Sequence, residues 1–158
     1  WAVLIGIDGY PNPLRGCVAD ALVIEKYLTD VLHVPKDRIQ YLLGKQLDDS
    51  STLIPHNNVP PTRANIVDTL LGLSKNTKIN NGDSIIIFFS GHGSSYYYLC
   101  PIEALCPIDR RGTPDGQDAC VPDISDREIN NILAYIYHRK DARITLVLDC
   151  CHAGGATK

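Results

Sequence analysis

Methionine is absent from the 158 residues, positive charge is scarce, and no long apolar run occurs. A membrane-spanning helix needs roughly 18 consecutive apolar residues, so we expect no membrane segment and no membrane partner. A net charge of −3 leaves no basic stripe for phosphates, so we also expect no nucleic-acid partner. Because methionine is missing even at position 1 and the chain starts inside an apolar run, we expect a fragment of a longer polypeptide.

The composition is that of one globular domain, with 44% apolar and 21% charged residues. We therefore assign residues 1–158 to a single domain with its own core. Six cysteines are present, but Cys150 and Cys151 are adjacent, Cys17 precedes a predicted helix, and the other three fall in one loop. This pattern favours reduced thiols and a cytoplasmic, intracellular location.

Apolar runs alternate with amphipathic segments along the chain, which predicts alternating strands and helices. The predicted strands are residues 2–7, 38–43, 84–89 and 143–148. One predicted helix covers residues 19–32, a second starts at Thr62, and a third follows the capping-box pattern of Ser125 and Glu128. Such alternation predicts an α/β fold in three layers, with a mostly parallel central sheet flanked by helices. Residues 44–61 and 93–122 lack periodicity, and we expect loops there.

Reactive side chains follow two of the predicted strands. His92 lies in a Ser-Gly-His-Gly sequence after one strand, and Cys150 and Cys151 follow another. Strand ends of a parallel sheet share one edge, and an imidazole beside a thiol favours the thiolate. A single cysteine is more often a small buried residue, and Gly-His-Gly alone is also typical of a tight turn. Together, at two strand ends, the motifs favour nucleophilic catalysis. Since side chains alternate along a strand, only one of the two thiols is expected to face His92.

Backbone and carboxylate groups beside these residues predict the rest of a site. The N–H groups of Gly93 and Cys151 are candidates for an oxyanion hole. Asp149 lies two residues before Cys151, and Asp20 lies early in the helix after the first strand, near the same edge. Two carboxylates at a narrow pocket select a cationic side chain, although Asp20 is also a candidate helix cap.

The Ser-Gly-His-Gly and Asp-Cys-Cys-His-Ala-Gly motifs, with the Arg-Gly-Cys-Val-Ala-Asp-Ala segment after the first strand, resemble the signatures of metacaspases, which are caspase-like cysteine peptidases. This resemblance implies a caspase-like fold, of which the chain covers the large-subunit portion, incomplete without its own small subunit as partner. It also implies Cys151 as nucleophile, His92 as general base, and cleavage of protein substrates after Arg or Lys through an acyl-enzyme. The sequence departs from the family pattern at Cys150 and Ala153, where Ser is usual.

The same resemblance implies calcium as an activator, although the dyad itself needs no cofactor. Asp126 is the candidate ligand, but Arg127 stands where the family has a second acid. The alternatives to a calcium site at Asp126 are a solvated acidic loop without a metal and a calcium site built from other carboxylates. A zinc site is a further alternative, although the usual Cys-x-x-Cys spacing is missing. Arg127 also motivates an alternative function, a catalytically silent caspase-like scaffold or regulatory module. The other candidate metal ligands are Asp109, Asp115, Asp118 and Asp123 for calcium, and Cys100, Cys106 and Cys120 for zinc.

Overall fold

The computed structural model describes residues 1–97, 101–110 and 121–153, and the four predicted strands and three predicted helices are all present there. No helix in this part of the chain is long and apolar enough to cross a membrane. The strands are β1 (Ala2–Ile7), β2 (Ile39–Gly44), β3 (Ser84–Ser90), β4 (Gly93–Tyr97), β5 (Pro101–Leu105), β6 (Ile124–Ser125) and β7 (Arg143–Asp149). The helices are α1 (Cys17–Asp30), α2 (Arg63–Lys75) and α3 (Asp126–Lys140).

A four-stranded parallel sheet in the order β2-β1-β3-β7 forms the middle layer. All six residues of β1 are buried, because helices cover both faces of the sheet at this strand. Leu28 of α1 packs in the apolar cluster on one face, while Leu70 of α2 and Ile132 of α3 pack in the cluster on the other. The predicted three-layer α/β fold and its four parallel strands are thus confirmed.

The helix starts show how local sequence sets the element boundaries. The side chains of Thr62 and Ser125 accept hydrogen bonds from the backbone N–H groups three residues later, at 3.3 and 3.2 Å. The capping box of α3 is only half formed, because the Glu128 carboxylate instead binds Arg63 at 2.6 and 2.7 Å. That ion pair joins α3 to α2 on the same face of the sheet.

The segment 93–122 is not the loop that the sequence predicted. Its described residues include β4 and β5, which form a small antiparallel sheet with β6 beyond the segment, in the order β4-β5-β6. Gly93 pairs with Leu105, and Ala104 pairs with Ser125. The prediction was wrong because β4 and β5 have five residues each and β6 has two, which is too short for their periodicity to be recognised. Since β4 begins directly after His92, the small sheet anchors the loop that carries this residue.

Candidate active site

The two reactive motifs lie side by side at the carboxyl edge of the central sheet. Ser90, the last residue of β3, pairs in register with Asp149, the last residue of β7. Gly91 donates its backbone N–H to the Asp149 carbonyl at 3.3 Å. The expectation that both strand ends share one edge is confirmed, and it makes the loops carrying His92 and Cys151 neighbours.

The two loops also touch each other at Gly93. A Cβ atom built on Gly93 would lie 3.3 Å from the Cys150 sulfur and would overlap the carbonyl oxygen of Cys151. Only glycine therefore fits here, because any side chain would displace the turn that carries the two thiols.

The ring of His92 is held by the loop that follows β1. Its Nε2 atom lies 2.9 Å from the carbonyl oxygen of Asn12. A carbonyl oxygen only accepts hydrogen bonds, so this contact places the ring proton on Nε2 and leaves the lone pair on Nδ1. The imidazole is thereby in the tautomer that can take a proton through Nδ1.

Tyr10 fixes the backbone and one face of the same histidine. Its ring centroid lies 4.6 Å from that of His92, and its hydroxyl accepts the His92 backbone N–H at 3.2 Å. The hydroxyl in turn donates to the Cys106 carbonyl at 2.7 Å, and the Cys106 N–H donates to the His92 carbonyl at 3.0 Å. Burial raises the pKa of the Tyr10 hydroxyl, which keeps it a neutral donor and acceptor. Sequence reasoning missed Tyr10 and Asn12, whose only signal is their position directly after a buried strand.

The two adjacent thiols have different surroundings. Cys151 is exposed, whereas Cys150 is half-buried against the core cluster beneath α2 and α3. Burial above all, and then the negative charges of Cys151 and Asp149, raise the pKa of the Cys150 thiol to about 11. Burial thus disfavours the Cys150 thiolate, and exposure leaves Cys151 the thiol that a substrate carbonyl can reach. The strand ends at Asp149, so the alternation argument does not extend to Cys151, which lies in a turn.

The two predicted carboxylates are Asp149 at the end of β7 and Asp20 in α1. Two further residues, Ser90 and Cys17, lie between them and connect β7 to α1. Ser90 Oγ donates to Asp149 Oδ2 at 3.1 Å, and the Ser90 hydroxyl also hydrogen-bonds the Cys17 thiol. Burial raises the pKa of that thiol, and the charges of Asp8 and Asp20 raise it further. We call the set Cys17, Asp20, Ser90 and Asp149 the acidic rim. Ser90 belongs to the Ser-Gly-His-Gly motif, but the sequence did not predict that it contributes to the acidic rim.

Asp8, rather than Asp20, caps α1. The N-cap position is Gly16, and the Asp8 carboxylate accepts the N–H groups of Cys17 and Val18 at 3.0 and 3.2 Å. The alternative role considered for Asp20 is therefore filled by another residue, and the Asp20 carboxylate is exposed at the start of the helix. Its position there is consistent with ligand binding.

Two candidate calcium ligands in the described part of the chain are engaged with backbone N–H groups. Asp126 accepts a hydrogen bond from the N–H of Arg127 at 2.7 Å, and Asp109 accepts one from the N–H of Arg63 at 2.8 Å. Within the described ranges, no three His, Cys, Asp or Glu side chains are close enough to hold a metal ion. The candidate ligands among the described residues therefore do not form a calcium site, and no step below uses calcium. The remaining candidate ligands, Cys100, Asp115, Asp118 and Cys120, lie outside the described residues.

A parallel α/β sheet with a thiol and an imidazole after neighbouring strands defines a candidate cysteine peptidase domain. The family description "Metacaspase, peptidase C14 domain" matches residues 1–158, and the chain belongs to this family. It is 30% identical to Metacaspase-1B of Aspergillus terreus over 98% of this chain and 38% of that protein. It is 31% identical to Metacaspase-1B of Aspergillus fumigatus over 98% of this chain and 35% of that protein. The chain thus spans little more than a third of these relatives' length.

A solved structure resembles the fold at low sequence identity. The crystal structure of protein GSU0716 from Geobacter sulfurreducens matches with a TM-score of 0.65 and 19% identity. The match covers 97% of this chain and 50% of that one. This similarity concerns the arrangement of strands and helices alone.

Proposed function

We propose that the chain is the large-subunit part of a cysteine endopeptidase that cleaves after Arg or Lys through a Cys151–His92 dyad. Membership of the metacaspase family supports the peptidase class. The observation that carries the specificity is the acidic rim, because Ser90 and Asp149 end the two strands that lead into His92 and Cys151. A cationic side chain bound there brings the next peptide bond to the thiol.

In the proposed reaction, the Cys151 thiol transfers its proton to Nδ1 of His92, and the sulfur attacks the carbonyl carbon of the substrate. The C–N bond then breaks as His92 returns the proton to the leaving amine, which leaves a thioester on Cys151. Water, deprotonated by His92, hydrolyses the thioester and restores the thiol. The bond from Nε2 to the Asn12 carbonyl supports this role, because it keeps Nδ1 free and stabilises the imidazolium.

The oxyanion formed during attack is assigned to the N–H groups of Gly93 and Cys151. The antiparallel ladder supports the first of these donors. Opposite residues in an antiparallel ladder alternate between hydrogen-bonded and non-hydrogen-bonded pairs. The Cys106 N–H donates to the His92 carbonyl, so these two form a hydrogen-bonded pair. The next pair, Gly93 and Leu105, is therefore a non-hydrogen-bonded pair. The Gly93 N–H therefore has no acceptor on β5 and remains available for a substrate oxygen.

The free edge of β7 is the proposed attachment site of the small subunit. In the described part of the chain β7 ends the sheet order, and alternate residues along it are exposed, including Val147 at 41%. An unpaired strand edge offers backbone N–H and C=O groups to another strand. A small subunit that adds strands here would cover this side of the sheet.

The experiment is turnover of fluorogenic peptides that carry Arg, Lys or Asp before the scissile bond. It uses the protein with its small subunit present, with and without calcium. We expect cleavage after Arg and Lys but not after Asp. Cys151→Ala should lose at least roughly 10³-fold in kcat/KM, while the matched variant Cys150→Ala stays within about threefold. Loss of Arg and Lys cleavage in Asp20→Asn and Asp149→Asn would confirm the acidic rim. If no peptide turns over under either condition, the silent-scaffold alternative is favoured.

A further inference from the structure

A second concave surface lies beside His92, separate from the acidic rim. This cavity of about 330 Å³ is lined by Tyr10, Pro11, Asn12, His92, Gly93 and Arg110. The proposed reaction uses His92 and Gly93 from this lining, but it gives the space itself no role.

The cavity and the acidic rim lie on opposite faces of the central sheet. Along β3, Phe88 packs in the cluster under α1, whereas Phe89 packs in the cluster under α2 and α3. Alternation places Ser90 on the α1 face with the rest of the acidic rim. Tyr10 belongs to the other cluster, so the cavity opens on the α2 and α3 side.

This placement determines which part of a substrate reaches the cavity. The acidic rim takes the side chain before the scissile bond. His92 must lie next to the leaving nitrogen, because it returns the proton to that atom. The space beyond the imidazole therefore faces the residue that follows the scissile bond.

Arg110 gives the cavity its charge. Its Nε lies 3.0 Å from Asp123 Oδ1, and its side chain is 38% exposed while that of Asp123 is 2% exposed. The Tyr96 hydroxyl donates to Asp123 Oδ2 at 2.6 Å and also hydrogen-bonds Arg110. The buried Asp123 carboxylate and the exposed Tyr96 hydroxyl hold the guanidinium in place. A guanidinium has five N–H donors, which is more than these two partners use. None of the six lining residues is a carboxylate.

We propose that this cavity binds the side chain of the first residue after the scissile bond, and that Arg110 selects an acidic side chain there. The inference rests on the proposed peptidase function and deepens it. A fixed guanidinium matches a carboxylate in two-point geometry, which a lysine does not. The enzyme would then prefer a basic residue followed by an acidic one, with each charge bound on its own face of the sheet.

The test compares three peptides that differ at one position, acetyl-Ala-Ala-Arg-Xaa-Ala-amide with Xaa as Glu, Gln or Lys. Only cleavage of the Arg-Xaa bond, identified by product mass, is counted, because the Lys peptide also offers a bond after lysine. For that bond we expect kcat/KM for Glu to exceed that for Gln by about fivefold and that for Lys by about tenfold or more. The preference should shrink in 0.5 M salt, because half-exposed charges are screened. This comparison uses the unaltered protein and so does not depend on how any variant folds.

Variants then assign the preference to one side chain. Arg110→Gln should bring the Glu to Gln ratio to about one, and Arg110→Lys should keep part of it. Arg139→Gln is the matched control, because Arg139 is exposed in the last turn of α3, at the end of the helix that precedes the start of β7 and away from the carboxyl edge. Equal rates for the three peptides, or a Glu preference that persists in Arg110→Gln, would overturn this inference while leaving the peptidase intact. If the protein cleaves none of the peptides and Cys151→Ala binds none of them, the proposed function fails and this inference fails with it.

Discussion

His92 and Cys151 lie on neighbouring loops, but the two are held in different ways. Three groups of His92 have partners from distant parts of the chain: the ring binds the Asn12 carbonyl, the N–H binds Tyr10, and the carbonyl binds Cys106. Cys151 is exposed on a turn, and the next residue, His152, has a φ of 58°. The base is thus fixed by long-range contacts, whereas the thiol depends on a local turn and its contact with Gly93.

This difference predicts that the site is rigid at His92 and sensitive to small displacements at Cys151. A base whose tautomer and backbone are both fixed needs little reorganisation during proton transfer. A thiol on an exposed turn can accept a substrate carbonyl, but small displacements of that turn move the sulfur directly. Substitutions at the contact between the loops should therefore have larger effects than substitutions on the side of the histidine.

Gly93→Ala is expected to have the largest effect. The added Cβ overlaps the Cys151 carbonyl, and β4 cannot retreat without losing its pairing with β5. We expect kcat/KM to fall by roughly 10²-fold or more, because an error of about 1 Å in the reacting geometry costs that much. Steady-state kinetics on an Arg peptide measures it.

The matched control for that substitution is Gly72→Ala in α2. A Cβ at this position meets no atom within 4 Å, so activity should be unchanged and helix propensity should raise stability by about 1 kcal/mol. An active Gly93→Ala enzyme would show that the turn adapts and that the thiol is not positioned through this contact.

Tyr10→Phe is expected to have an intermediate effect on the side of the histidine. Removing the hydroxyl leaves the His92 N–H and the Cys106 carbonyl without this partner in a buried setting. We expect a loss of about 1 to 3 kcal/mol in the free energy of unfolding and about a tenfold fall in kcat with KM unchanged. Chemical denaturation and kinetics measure the two quantities.

Because Tyr10 acts through His92, the pH profile of kcat separates positioning from simple stability. A general base sets the acidic limb of the profile, so a shifted acidic limb is expected in Tyr10→Phe but not in Tyr137→Phe, whose side chain is 52% exposed on α3. An unchanged profile together with lowered stability would reduce Tyr10 to a structural role.

The parts predicted from the sequence are those that local signals determine. Strand β1 was predictable from its apolar run, and the starts of α2 and α3 were predictable from the caps at Thr62 and Ser125. Burial and capping each depend on only a few consecutive residues. The common edge of β3 and β7 followed from parallel topology, which placed His92 and Cys151 on neighbouring loops. These signals need no knowledge of distant contacts.

The missed features all depend on pairing between distant segments. Tyr10 meets His92 across 82 positions, and Ser90 meets Asp149 across 59. The β4–β5 ladder likewise involves strands with no apolar alternation. A tyrosine or serine has no local pattern that indicates such a partner, so these contacts become visible only once the strands are placed.

The smallest expected effect concerns the half-buried thiol and the pH dependence of stability. Folding raises the pKa of Cys150 from its ordinary 9.0 to about 11, mainly through burial. The folded state therefore holds this proton more tightly, so the contribution to stability is complete below pH 9 and is lost as pH rises through 11. The free energy of unfolding from urea titrations at pH 7, 9 and 10.5 should fall less steeply above pH 9 in Cys150→Ala. Some fall should remain, because burial also raises the pKa of Cys17, and that of Cys106 to about 12. An identical slope in both proteins would mean that Cys150 is as open to solvent as Cys151, and the contrast between the two thiols would be lost.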